Sequence, residues 1–132
     1  MQERAKRLQR IVAVQQQMQR IEEWKLAELQ RRLAALDASQ RDLIEALNED
    51  SVLHGLFVET TARHLNALAK ESGRVDGEKA AQVPKLAEQT TRLRLAERLS
   101  ATADLDAQRA MDRAMLLELI EAILKRGPTS LP

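Results

Sequence analysis

Between Leu26 and Leu47 the chain places leucines on alternating steps of three and four. Leu26, Leu29, Leu33, Leu36, Leu43 and Leu47 keep the spacing, and only Gln40 interrupts it. That is the a/d stripe of a coiled coil, the narrow apolar seam one helix offers another. The same spacing returns at Ala96, Ala103, Ala107, Ala110, Ala114, Leu117 and Leu124. Large side chains facing small ones let two helices approach closely without voids. The pattern predicts an all-α fold, a long antiparallel two-helix coiled-coil hairpin in a single elongated unit.

Element boundaries follow from the breakers. No Pro or Gly occurs from residue 3 to residue 48, so the first helix runs unbroken through that stretch. Its early apolar track uses Ile11, Val14, Met18 and Ile21, whereas the stripe reappears at Leu26. The seam therefore shifts near Trp24, either as a stutter that turns the first part toward a different neighbour or as one tolerated irregularity. Asn48-Glu49-Asp50-Ser51 favours caps and turns, with Gly55 close behind. The preferred reading carries a gently kinked helix through to about residue 71. The alternative is a true break near 48–51 and a three-helix bundle. Ser72-Gly73-Arg74-Val75-Asp76-Gly77 looks like the reversal itself, with two glycines around a short polar stretch. A second helix is expected from about 78 to 126, with Pro84 in its first turns. Gly127-Pro128 should stop it and leave a frayed tail at 127–132.

A reversal about Val75 sets Leu36 opposite Ala114, Leu43 opposite Ala107 and Leu47 opposite Ala103. It also leaves the residues before Trp24 without an intrachain partner, an overhang of roughly 30–35 Å. An unpaired apolar stripe on a long helix normally has a partner. Leu8, Ile11, Val14, Met18, Ile21 and Trp24 are therefore candidate partner-binding residues. So are Met115, Leu116, Leu119 and Ile123, which lie off the seam in a stretch that is apolar on more than one face. Both groups are expected at the open end of the hairpin, beside Trp24.

Composition narrows the function classes. Among 132 residues Trp24 and Phe57 are the only aromatics, too few to fill a thick globular interior. Lys plus Arg number 21 against 20 for Asp plus Glu, and a net charge of +1 speaks against a dedicated nucleic-acid binder. Without cysteine there is no disulfide framework, zinc ribbon or thiol nucleophile. His54 and His64, the two histidines, stand ten apart on no metal-ligand spacing, and both read as polar seam or edge positions. No serine sits in a nucleophile elbow and no glycines form a phosphate cradle. The expectation is a non-enzymatic protein with no cofactor and no metal. The basic start (Arg4, Lys6, Arg7, Arg10) could suit a membrane surface, but the glutamines at 15–17 dilute its apolar face. No signal peptide is visible, and the apolar run at 114–124 is too short to span a bilayer.

The start Arg4-x-x-Arg7-Leu8-x-Arg10-Ile11, the glutamine-rich stretch from Gln15 to Gln19, the leucine seam and the closing helix from Arg92 to Arg126 together resemble the FliJ/YscO-type stalk proteins of flagellar and type III export. The resemblance covers most of the chain at the level of pattern and composition. This Ala- and Leu-rich C-terminal helix departs from the family's strongly charged one. The resemblance implies a cytoplasmic adaptor without an active site, coupling an export ATPase to the export gate. The reading from another class is a homo-oligomeric structural coiled coil or a helical secretion chaperone.

Overall fold

The computed structural model describes residues 2–49 and 54–126, with the side chains of residues 54–56 left out of the description. Two helices account for nearly all of it: α1, Gln2–Asn48, and α2, His54–Arg126. They pack against each other, and no strand occurs among the described residues. The fold is an all-α helical hairpin, as the a/d spacing predicts.

The reversal is not where the glycines suggest. Residues 72–77 lie inside α2, and the chain changes direction between Asn48 and His54. At the end of α1 the Glu49 amide donates to the Ala46 carbonyl at 3.3 Å, a tightened last turn. Residues 50–53, the heart of the proposed break near 48–51, lie outside the described residues, as does the tail at 127–132. The 47-residue and 73-residue helices replace the expected division into 3–71 and 78–126.

The reason 72–77 stays helical is the seam. Val75 is fully buried, at 0 % exposure, and Ser72 and Lys79 are half-buried three before and four after it. The three-four spacing therefore runs straight through the supposed turn. Gly73 and Gly77 stand on exposed positions, and a Cβ built on either meets nothing within 4 Å. Arg74 ion-pairs with both Glu71 and Glu78, one helical turn on either side. Burial of one face outweighs the weak helix propensity of two glycines, about 1 kcal/mol each. Pro84 is also interior to α2, on an exposed position.

Burial along α1 marks an unbroken seam: Ala5, Leu8, Val12, Gln15, Gln19, Glu22, Leu26, Leu29, Leu33, Leu36, Gln40, Leu43 and Leu47 are each buried or half-buried. There is no stutter at Trp24. Four polar residues, Gln15, Gln19, Glu22 and Gln40, occupy seam positions, and the aliphatic track at Ile11, Val14, Met18 and Ile21 lies one residue aside from it, exposed. The seam of α2 is equally regular, from Thr61, Leu65 and Leu68 through Val75 and Gln82 to Ala96, Ser100, Ala103, Ala107 and Ala110.

By compactness the chain divides into two units, Met1–Gln17 with Thr91–Pro132, and Met18–Thr90. In the first, Ala5, Ala103 and Ala107 form a buried cluster with Leu8 packed against it. The alanines of α2 thus serve the start of α1, not Leu36 to Leu47. Gln9 donates to Asp104 at 3.1 Å and Gln2 to the Met111 sulfur at 3.2 Å. The N-terminal segment is therefore paired, and the expected N-terminal overhang does not exist.

The second unit has a polar layer in its seam. Gln19 donates to the Thr90 hydroxyl at 2.9 Å, and that hydroxyl lies 2.9 Å from the Leu86 carbonyl of its own helix. Gln82 donates to the carboxylate of Glu22 and to its backbone carbonyl, the latter at 3.2 Å. Among the described residues no buried side-chain N or O atom lacks a partner. A satisfied polar layer contributes little net stability but favours the alignment that pairs its members. His64 stands one residue off the seam and is exposed, which places it at the edge and not in the polar core, the two positions expected for it. The side chain of His54 lies outside the described residues.

Two measurements test this frame. Gly73→Ala combined with Gly77→Ala should raise stability by about 1–2 kcal/mol in chemical denaturation, because both sites are helical and open; a loss would restore the turn. The Gln82 amide beside Glu22 holds its carboxyl below the usual value of 4.5. A depressed folded-state value contributes stability above the unfolded pKa, and this is lost as pH falls through the folded one. Melting temperature should therefore drop on acidification below about pH 4.5, and drop less in Glu22→Gln.

Candidate functional site

The fully exposed segment belongs to α2. Met111 is the residue Gln2 reaches, and from Met111 to Arg126 every residue is exposed. This stretch is called the arm below. Its seam positions Leu117 and Leu124 are 58 % and 72 % exposed, although upstream positions of the same stripe are buried. The seam thus outruns its partner helix by about four turns, or roughly 22 Å.

The arm is apolar on more than one face, with Glu118, Glu121 and Lys125 along the remaining strip. Ala114, Leu117 and Leu124 hold the seam; Leu116, Ile120 and Ile123 fall on one flank, and Met115, Leu119 and Ala122 on the back. Leu, Met, Ala and Ile keep the segment helical without packing, and Lys125 and Arg126 in its last turn suit the negative end of the helix dipole. Apolar surface this broad on a helix is normally covered. Within the exposed arm, Glu118 and Glu121 are the only charged residues between Ala114 and Leu124.

A second apolar feature lies on the flank of the same unit. Leu8, Ile11, Gln15, Arg92, Leu95, Ala96 and Leu99 line a shallow groove between the helices. Arg7, Arg10, Ile11, Val14 and Gln15 line an adjoining hollow. Ile11 and Gln15 are shared, so the two form one strip with an aliphatic floor and arginines along it.

The sequence-predicted residues therefore separate into three groups. Leu8 is a core residue, packed on the alanine cluster, and is withdrawn from the docking set except where its edge lines the groove. Ile11, Val14, Met18 and Ile21 are exposed, but as a flank of a paired helix and not as an unpaired overhang. Met115, Leu116, Leu119 and Ile123 are exposed on the arm. Trp24 sits in the other unit, 62 % exposed, where it lines a hollow with Lys25, Glu28, Leu29, Arg32, Glu78, Ala81, Gln82 and Lys85. Leu95, Leu99 and Arg92 were missed. Their signal was available: Leu95 and Leu99 stand four apart, each one residue before a seam position.

Among the described residues no group of three metal-ligating side chains comes together, and no helix is long and apolar enough to cross a membrane. No family model, curated protein or solved structure matches the chain.

Replacing Leu116, Leu119 and Ile123 together by serine should leave the helical circular dichroism and the unfolding free energy of the monomer within about 0.5 kcal/mol of wild type. Leu8→Ala, by contrast, should cost about 1–2 kcal/mol, because its side chain fills the space against Ala103 and Ala107.

Proposed function

We propose that this chain is a non-enzymatic coiled-coil interaction protein that presents its arm to a protein partner, working as a stalk or adaptor between an export ATPase and an export gate. The observation that supports this most is the arm: an exposed helical segment, apolar on more than one face, that continues a coiled-coil seam beyond its intrachain partner. A helix of that kind is read by a groove or a bundle that encloses it, the helix-in-groove mode of recognition. The export assignment rests on the resemblance of the chain's pattern to the FliJ/YscO-type stalks. A two-helix hairpin is the architecture that resemblance implies. The cytoplasmic location belongs to the same proposal.

The test is affinity capture of the tagged full chain from its native cell lysate, beside the Leu116→Ser/Leu119→Ser/Ile123→Ser variant. An export ATPase or gate component should be recovered by the wild type and lost, by tenfold or more, with the variant. Equal recovery by both would remove the arm from the contact, and recovery of neither component would remove the export assignment.

A further inference from the structure

We infer that the arginine-lined groove of the first unit receives an amphipathic helix of a partner protein, one that carries carboxylates along an edge of its apolar stripe. The inference concerns a different face from the arm and stands independently of the adaptor reading.

The two flanks of the seam in this unit differ. One residue after the seam positions stand Lys6, Gln9 and Gln16 of α1 and Glu97, Asp104 and Gln108 of α2, with alanine between them. That flank is polar and bridged, Gln9 to Asp104 at 3.1 Å. One residue before the seam positions stand Arg4, Arg7, Ile11 and Val14 of α1 and Leu95 and Leu99 of α2. The four aliphatic side chains of this second flank are each exposed, Val14 to 57 % and Leu95 to 56 %. Surplus apolar surface is thus confined to one side of the helix pair.

Shape favours a helix as the occupant. Leu8, Gln15 and Ala96, buried or half-buried, form the floor, with Ile11 on one wall and Leu95 and Leu99 on the other. A bilayer surface is flat on this scale and meets only the walls, whereas the ridge of a third helix enters and reaches the floor. Leu8 also packs on the cluster of Ala5, Ala103 and Ala107, so a helix seated there extends the existing core.

Charge sets the chemistry of that helix. Arg7 and Arg10 line the adjoining hollow, and no carboxylate lines either concavity. Among the described residues neither arginine makes a hydrogen bond or an ion pair. Arg92 lines the groove as well but already has a partner and does not enter the count. Toward the arm, the Leu95–Leu99 row reaches its first carboxylate at Asp106, about two turns on. The unit as a whole is basic: residues 1–17 and 91–132 hold eleven Lys and Arg against seven Asp and Glu, whereas residues 18–90 hold ten against thirteen. Covering Arg7 and Arg10 with neutral surface would strip their hydration without replacing it, so the matching helix places its carboxylates on the edge beside α1. From Arg7 to Gln15 the strip runs about 12 Å, two turns of a docked helix, which suits an exchangeable contact of about micromolar affinity.

The experiment is fluorescence anisotropy of a labelled synthetic peptide titrated with the purified full chain. The peptide is about 18 residues long, enough to form a helix on the groove, with leucines on three-four spacing and glutamates along one edge. A control peptide has lysines in place of the glutamates. Three variants accompany the wild type: Leu95→Ser/Leu99→Ser, Arg7→Glu/Arg10→Glu, and Leu116→Ser/Leu119→Ser/Ile123→Ser in the arm. All of these positions are exposed, and circular dichroism checks that each variant keeps its helices. The wild type should bind the acidic peptide at least about tenfold more tightly than the lysine peptide. The Leu95/Leu99 variant should lose binding, the arm variant should keep it, and the Arg7/Arg10 variant should now prefer the lysine peptide. No binding by the wild type overturns the inference, as does equal binding of the two peptides or unchanged binding by the Leu95/Leu99 variant. Vesicles of phosphatidylcholine with phosphatidylglycerol complete the test: sedimentation of the wild type with them, abolished by the same two groove variants while the peptide fails to bind, overturns the inference in favour of a lipid surface. None of these outcomes touches the adaptor reading, which is decided by partner capture.

Discussion

Everything in this molecule depends on which turn of one helix faces which turn of the other. The seams on both helices are long, regular and mostly aliphatic, and leucines and alanines on a three-four spacing would accept several alignments one heptad apart. Hydrophobic burial is non-directional and does not choose among them. The polar layer does. Gln19 with Thr90, and Glu22 with Gln82, are paired in the alignment the molecule adopts, and an alignment that left such a group buried without a partner would cost about 1–3 kcal/mol for each unsatisfied group. Their value is specificity, the role polar residues at seam positions play in coiled coils generally.

Fixing that alignment decides where the apolar surplus falls. Because the chain reverses between Asn48 and His54, α2 is 73 residues against 47 for α1. The extra length emerges as the arm. Alanines at 96, 103 and 107 are spent on close packing with the start of α1, and the bulky residues of α2 are left for the arm and the flank. The sequence arrangement thus divides one helix: small residues where the intrachain contact is tight, larger ones where the helix is exposed.

The secondary structure was legible because coiled-coil periodicity is a local property. The a/d spacing announced two long antiparallel helices, the identity of the α2 seam residues, and the exposure of Met115, Leu116, Leu119 and Ile123. The apparent stutter at Trp24 was illusory, since the search for an apolar track preferred Ile11, Val14, Met18 and Ile21 over a true seam that passes through Gln15, Gln19 and Glu22. Polar residues at seam positions are invisible to a rule that counts hydrophobes, until a partner that satisfies them is known.

What the sequence determined by itself was the helical class and the seam, because those follow from spacing along a single helix. What only the tertiary structure decided was the site of reversal, and with it the register and the end at which apolar surface is left over. Two segments competed for the turn, one rich in cap-forming residues near 48 and one holding Gly73 and Gly77. Local propensity separates them by about 1 kcal/mol per glycine, whereas burial of Val75 and the neighbouring seam positions acts only once the opposing helix is present. That cooperative burial keeps 72–77 helical, moves the overhang from the first helix to the second, and turns the start of α1 from a supposed docking element into half of the core.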